Sequence, residues 1–298
     1  MKILVMGGSY FLGKHFVNLS AKNNEVTIFT RGNNPLGLSN IKEIVGDRNK
    51  EEDLRQLKDK NFDIVVDFCA YNPKDIENVI KTFDTKIKQY IFISTVDVYK
   101  KGTNKIITEQ SPLETTVYEG EVGKYILGKV ALEKELSECC KKENIAFTSL
   151  RPVFIYGVDN YAPRENIFFN WIEKAGQVLF PENADGYFQM IYVDDLAEII
   201  NNVCGNKDYY NKAINICGEG IYTYETFLEE LRKGCNKDFQ KIPISVKDII
   251  AQGIPLPFPL TVEESEHYSS NETDLEKFYR TKLSDGLNKA YDALYGLN

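Results

Sequence analysis

Short apolar runs recur along the first half of the chain, at Ile3–Met6, Val26–Phe29, Ile41–Val45, Ile64–Phe68, Tyr90–Ile93 and Ala146–Leu150. They are rich in β-branched residues and apolar on both faces, the pattern of parallel strands covered by helices. Helical periodicity is legible between them at Phe11–Ala21, Lys50–Leu57, Lys74–Phe83 and Glu119–Lys142. The last of these carries apolar positions at Val122, Ile126 and Val130, then Leu136 and Cys140, which predict its inward face. Strand–helix alternation predicts an α/β fold. The sheet is doubly wound and parallel, with ligands bound outside the carboxyl ends of its strands.

After Pro152 the pattern changes. The stretch from Tyr156 to Phe188 is dense in aromatic residues and turn formers. One more strand–helix unit follows, Met190–Val193 and then Asp194–Val203, which predicts a return to the main sheet. A helix near Tyr224–Leu231 and a proline-rich passage, Pro255–Pro259, mark the tail. The expected division is a Rossmann-type dinucleotide-binding domain over 1–157 plus about 188–206. A small mixed C-terminal substrate lobe takes about 158–187 and 207–298. The aromatic residues of that lobe are expected to form its core rather than to grip a ligand.

Composition narrows the function. The chain has 298 residues, a formal net charge of −8 and 27% charged residues. An acidic balance argues against broad nucleic-acid or anionic-membrane binding, both of which need a positive surface. No run reaches the length of a membrane span, and Met1–Val5 enters a strand with no secretory layout. The six cysteines show no C-x-x-C spacing and there are only two histidines, so no metal site is expected. A reduced, cytoplasmic protein is the expectation.

Directly after the first strand comes Gly7-Gly8-Ser9-Tyr10-Phe11-Leu12-Gly13. Small residues at a strand-to-helix turn let backbone N–H groups approach a pyrophosphate at the positive helix end. The second strand ends in Thr30-Arg31-Gly32 rather than in a carboxylate that would bind the adenosine ribose. Arg31 suits a 2′-phosphate, which favours NADP over NAD. Asp47, at the end of the third strand, suits the adenine amino group, and Arg48 is a second cation at that end. Tyr125 and Lys129 stand one helical turn apart, so phenol and ammonium share a face. A nearby cation lowers a phenol pKa from about 10 toward the working range. Thr95, at a neighbouring strand end, is placed to hold a substrate oxygen.

Taken in order, these residues resemble the extended short-chain dehydrogenase/reductase family, the broad group of NAD-dependent epimerases and dehydratases. The matching stretches are Gly7-Gly8-x-x-Phe11-Leu12-Gly13, Gly46-Asp47, Ser94-Thr95-x-x-Val98-Tyr99 and Tyr125-x-x-x-Lys129. Arg151-Pro152-x-x-x-Tyr156-Gly157 and Tyr192-Val193-Asp194-Asp195-Leu196-Ala197 complete the set. The resemblance implies Tyr125 as catalytic acid/base, with Lys129 lowering its pKa and holding the nicotinamide ribose, and Thr95 on the reacting hydroxyl or carbonyl. It implies Gly7, Ser9, Phe11, Leu12 and Gly13 at the pyrophosphate, Arg31 at the adenosine ribose or its phosphate, and Asp47 and Arg48 at the adenine. Phe68, Cys69 and Ala70 would cover the dinucleotide. Asp194-Asp195 reads as a structural helix cap. A homodimer is implied, because the long helix packs against its copy in relatives.

Tyr10 stands where the family's usual loop has a third glycine, so its side chain must point away from the pyrophosphate or crowd it. In this respect the chain is similar to an atypical branch that includes the plastid stem-loop RNA-binding proteins. Phe188 stands where sugar-nucleotide members carry an arginine, and Pro259–Tyr268 has carboxylates and no arginine. The expected function is an NAD(P)-dependent oxidoreductase or epimerase/dehydratase acting on a hydroxyl or carbonyl of a small polar, sugar-like substrate. The rival is a dinucleotide-bound regulatory or RNA-binding protein without turnover.

Overall fold

Ile3, Leu4, Val5 and Met6 have no exposed surface, because strand β1 (Lys2–Met6) is flanked on both sides by other strands of one sheet. The structure, a computed structural model, describes every residue except 84–86, 103–105, 118 and 297–298. In chain order β1 is followed by α1 (Phe11–Ser20), β2 (Glu25–Thr30), β3 (Ile41–Val45), α2 (Glu51–Leu54) and β4 (Ile64–Asp67). Then come α3 (Asp75–Thr82), β5 (Gln89–Ile93), α4 (Gly120–Glu143), β6 (Ala146–Pro152), β7 (Phe154–Tyr156) and α5 (Glu165–Ala175). The rest is β8 (Gln177–Glu182), β9 (Tyr187–Tyr192), α6 (Val193–Val203), β10 (Lys212–Ile216), β11 (Ile221–Thr223), α7 (Tyr224–Cys235), β12 (Gln240–Ser245), α8 (Val246–Gln252) and α9 (Leu283–Tyr295). The chain divides into two compact units. The first is Met1–Lys100, Glu109–Pro152 and Leu196–Ile216; the second is Lys101–Thr108, Val153–Asp195 and Cys217–Asn298.

The first unit holds a seven-stranded sheet in the order β10-β6-β5-β4-β1-β2-β3, and every pairing is parallel. Strand order reverses between β1 and β4, the switch point where open α/β sheets bind ligands. Leu4, Val65, Tyr90 and Phe92 pack on Val79 and Ile80 of α3 and on Leu132, Leu136 and Cys140 of α4. The expected doubly wound parallel sheet is therefore present.

Three details differ from the periodicity. β3 is an edge strand with no fully buried residue, and Val45 is 61% exposed. The helix expected at Lys50–Leu57 is one short α-turn, α2, continued as a 3-10 turn at Arg55–Leu57. Met190–Val193 does not return to the main sheet: β9 pairs with β7 and β11, and the last strand of the main sheet is β10. Lys212-Ala213-Ile214-Asn215-Ile216 is short and alternating, with a weaker apolar signal than Met190–Val193.

The second unit carries the three-stranded sheet β11-β9-β7 and the parallel pair β12-β8. Phe154, Phe168, Phe188, Tyr224, Phe227 and Phe258 form one aromatic cluster, with Phe188 and Phe258 stacked at 3.9 Å between ring centroids. Most aromatic residues of the Tyr156–Phe188 stretch are core or partly buried, as their density predicts, but Tyr161 is 64% exposed. Helices α7 and α9 cross closely at Gly234, where a Cβ would lie 2.8 Å from Leu287 Cβ and from the Ser284 carbonyl oxygen.

Candidate active site

The turn after β1 is built from left-handed glycines. Gly7 and Gly8 have φ of 84° and 85°, and a Cβ on Gly8 would sit 2.5 Å from Val5 Cγ1. A Cβ on Gly13 would lie 2.5 Å from Gly8 Cα, so α1 rests directly on the turn. Tyr10, in the place of the missing third glycine, has φ −143° and ψ 145°, extended backbone that any residue adopts. Its ring is 53% exposed, so it does not fill the turn. The unusual backbone falls instead on Phe11, with φ 40°. Phe11 and Leu12 are buried at 6% each and anchor α1 to the core. The Tyr10 carbonyl accepts from Gly13 N–H at 3.1 Å and from Lys14 N–H at 3.4 Å, which starts α1 at the turn, and a helix N-terminus is a favourable setting for an anion.

A cleft of ≈ 430 Å³ opens at the carboxyl ends of β1, β2, β3 and β4. Of the predicted dinucleotide residues, Gly7, Ser9, Tyr10, Arg31, Asp47, Arg48 and Cys69 line it, whereas Phe11, Leu12, Gly13, Phe68, Ala70, Tyr125 and Lys129 do not. Ala70 is fully buried, and Phe68 packs on Phe16 with ring centroids 5.7 Å apart. Asp47 Oδ1 accepts from Asn49 N–H and Nδ2 at 3.0 Å. The Asn49 backbone N–H holds that carboxyl below its usual range, and Lys50 and Arg31 add to the effect. The polar, glycine-floored cleft at the switch point fits a nicotinamide dinucleotide.

Arg48 has partners of a different kind from those its position suggested. Its guanidinium forks onto the fully buried Asp67 at 2.8 and 2.9 Å and also donates to the Asp75 carbonyl and to Cys69 Sγ. Tyr90 Oη donates to the same Asp67 carboxylate at 2.5 Å. Burial opposes both charges, but each outweighs it for the other: Arg48 is held above its usual range and Asp67 below. Burial, then the nearby Asp67 charge, pushes the Cys69 thiol up to about 12, so it stays protonated. Tyr71, which no sequence motif flags, also lines the cleft.

Helix α4 carries the expected phenol and ammonium. Tyr125 is 41% exposed, while Lys129 is only 4% exposed. Lys129 Nζ donates to the Ala70 and Ile93 carbonyls at 3.2 and 3.0 Å. It lies 4.6 Å from the Phe92 ring centroid, 4.8 Å from Tyr71 and 5.9 Å from Tyr125. Burial draws its pKa down from 10.5 to about 8. The bond to Ile93 ties α4 to the strand end that carries Thr95. Thr95 caps the 3-10 turn Val96–Val98: its Oγ1 accepts from Asp97 N–H at 3.2 Å and stands 3.2 Å from Asp97 Oδ2.

The remaining motif residues of the first unit form a buried polar lattice. Arg151 pairs with Glu133 of α4 and donates to Tyr99 Oη at 2.6 Å, and Tyr99 Oη donates to Asn215 Oδ1 at 2.6 Å. In the second unit Asp195 accepts from Arg280 N–H, Thr281 N–H and Thr281 Oγ1, a structural role. Phe188, in the place of a substrate arginine, is 2% exposed within the aromatic cluster. No cluster of metal-binding side chains occurs among the described residues, and no described helix is long and apolar enough to cross a membrane.

Comparison with known proteins gives a consistent picture. A chloroplast stem-loop binding protein of 41 kDa from Arabidopsis thaliana is 29% identical over 292 residues, 93% of this chain and 68% of that protein. The UDP-N-acetylglucosamine 4-epimerase of Methanobrevibacter ruminantium, solved with UDP-N-acetylmuramic acid, superposes with a TM-score of 0.79 at 19% identity, covering 98% of this chain and 97% of that one. The UDP-glucuronic acid 4-epimerase of Bacillus cereus, solved with NAD, superposes at 0.77 and 19% identity, with 98% of each chain covered. At these identities the structural likeness is one of fold. The sequence itself matches the NAD dependent epimerase/dehydratase family over residues 3–217. The chain belongs to that NAD-dependent epimerase/dehydratase family.

Proposed function

We propose that the protein is an NAD(P)-dependent enzyme that acts on a hydroxyl or carbonyl carbon of a small polar, sugar-like substrate. The observation that carries this reading is the state of Lys129. A lysine buried to this degree is costly unless its charge is used. Here it is clamped by two carbonyls beside the ring of a half-exposed Tyr125.

The bound nicotinamide ring supplies hydride exchange. The side chains handle the proton. Two of the three Lys129 N–H bonds are committed to Ala70 and Ile93, which leaves the third for a ribose hydroxyl. The positive charge stabilises the Tyr125 phenolate, which takes the proton of the substrate hydroxyl and returns it in the reverse direction. Thr95 orients that oxygen. Gly7, Ser9 and the start of α1 would hold the pyrophosphate, and Arg31 and Asp47 would hold the adenosine end. The same proton-handling side chains would serve net oxidation, epimerisation or dehydration alike. Both dinucleotides have support: the Bacillus cereus relative is solved with NAD, whereas Arg31 in the cleft favours NADP.

The substrate reading follows from Phe188 and from the carboxylates of Pro259–Tyr268. Neither stretch offers the positive charge that a nucleotide diphosphate needs. Tyr125→Phe is expected to abolish turnover in a screen of free, phosphorylated and UDP-linked sugars, with NADH and NADPH affinity kept within about twofold. Full activity in that variant refutes the assignment.

The relation to the stem-loop binding protein favours a second reading, an RNA-binding protein that holds a dinucleotide without turnover. A steep fall of RNA affinity with salt would favour it. Absence of RNA binding at low salt removes it.

A further inference from the structure

A second concave site in the first unit shares Arg48 and Asn49 with the dinucleotide cleft but extends away from it. Its volume is ≈ 550 Å³, and its walls are α2, the turn after it and the last half of α3. Four cations line it, Arg48, Arg55, Lys58 and Lys81, against one carboxylate, Glu51. Asn78 and Thr82 complete a polar rim. In a chain of net charge −8 the lining gathers these cations in one concavity, although Arg48, Arg55 and Lys81 each have a carboxylate partner, and a cleft focuses the field of its lining charges.

The carboxylates that face these cations are of two kinds. Arg55 pairs with Glu51 at 2.7 Å, both exposed, and Lys81, also exposed, with the half-buried Glu77 at 2.5 Å, each pair four residues apart in sequence. Such pairs are weak, so both side chains are available to a more highly charged anion. Arg48 is fixed instead: its charge is met by Asp67, and Asp75 Oδ1 stands 3.7 Å from its Nε. That Nε is buried and lacks a hydrogen-bond partner among the described residues. The site therefore has a floor held by a buried ion pair and walls that carry exposed cations.

We infer that this groove binds a phosphate-bearing small anion other than the dinucleotide. Arg48 and Asn49, common to both clefts, couple the two sites, so each ligand changes the affinity of the other by the same factor. The groove itself is independent of the catalytic reading; only the coupling rests on a dinucleotide occupying the first cleft.

The test is calorimetric titration of the full chain at low salt with inorganic pyrophosphate and, separately, with a sugar monophosphate. The comparison is the Arg55→Ala/Lys58→Ala/Lys81→Ala variant, with thermal unfolding as the check on folding. Binding to the parent and a loss of about tenfold in the variant, with NADH affinity of the variant unchanged, is the expected result. Tighter binding of pyrophosphate identifies the free ion as the ligand, and tighter binding of the monophosphate identifies an ester. A Lys58→Glu/Lys81→Glu variant should lose binding altogether. Equal affinity in parent and variants means that the anion sits on the glycine turn and overturns the proposal, as does absence of binding at low salt. NADH affinity that is identical with and without saturating pyrophosphate overturns the coupling alone.

Discussion

Lys129 joins the sequence signal to its chemistry. Its spacing from Tyr125 is visible in the chain, but its ionisation is set by the walls around it. Burial moves its pKa down from 10.5 to about 8. Between those values the unfolded chain holds the proton more firmly than the folded one. The contribution of Lys129 to stability is therefore least favourable below pH 8 and rises as pH climbs from about 8 toward 10.5. The proposed catalytic role has the opposite sign, because stabilising a phenolate needs the protonated lysine. Turnover is expected to fall as pH rises through about 8, while the Tm of the parent rises relative to Lys129→Met. A rate that stays flat from about pH 7 to about pH 9 would contradict the role. Arg31 gives a second residue-scale prediction. Arg31→Ala should weaken NADPH binding by about 1.5–3 kcal/mol and barely affect NADH; equal losses would exclude a 2′-phosphate contact.

The turn between β1 and α1 shows what an element needs from its residues. Glycine is required at Gly7 and Gly8 by positive φ, and at Gly13 by the approach of α1 to the turn. Gly13→Ala forces a Cβ to within 2.5 Å of Gly8 Cα, and backbone cannot yield as a side chain does. A destabilisation of about 1–3 kcal/mol is expected, with loss of NADH affinity as α1 shifts. Gly128, inside α4, is the contrast: an added Cβ would meet only the Tyr71 carbonyl oxygen, at 3.5 Å. Gly128→Ala should stabilise the chain by up to about 1 kcal/mol through helix propensity. Urea denaturation of both variants checks the pair, and equal effects would contradict the steric argument. Helix α4 also shows where periodicity misleads. Val122 is 73% exposed and Val130 only half-buried, while Lys129 and Glu133 are buried beside Ile126, Leu132, Leu136 and Cys140. The inward face contains a cation and a carboxylate, each satisfied by distant partners, so a search for apolar residues turns the helix by part of a turn.

For the whole molecule, the two units call for separate treatment. The cleft proposed for the dinucleotide lies entirely within the first unit. NADH at one hundred times its Kd should therefore stabilise that unit by about 2.7 kcal/mol. Differential scanning calorimetry is expected to show the transition of that unit moving upward with ligand. No shift under saturating NADH or NADPH would contradict dinucleotide binding. Six of the seven main-sheet strands of the first unit, β1 to β6, were legible because each is a local apolar run, and α1, α3 and α4 because each is a local helical one. The second unit was not, because β7 and β11 are three residues each and its core joins Phe154, Phe188, Phe227 and Phe258 from segments far apart in sequence.

Local pattern in the chain thus determined the parallel doubly wound sheet, the glycine turn and the Tyr125–Lys129 turn, since each depends on residues close in sequence. Tertiary structure alone decided the rest. It bound Arg48 to Asp67 and so gave its hydrogen bonds to protein groups. It assigned the seventh main-sheet strand to Lys212–Ile216 and placed Phe188 in a core. The physical reason is the same in each case. Burial, ion pairing and strand pairing depend on partners brought together by the fold, and a single sequence position carries no record of who those partners are.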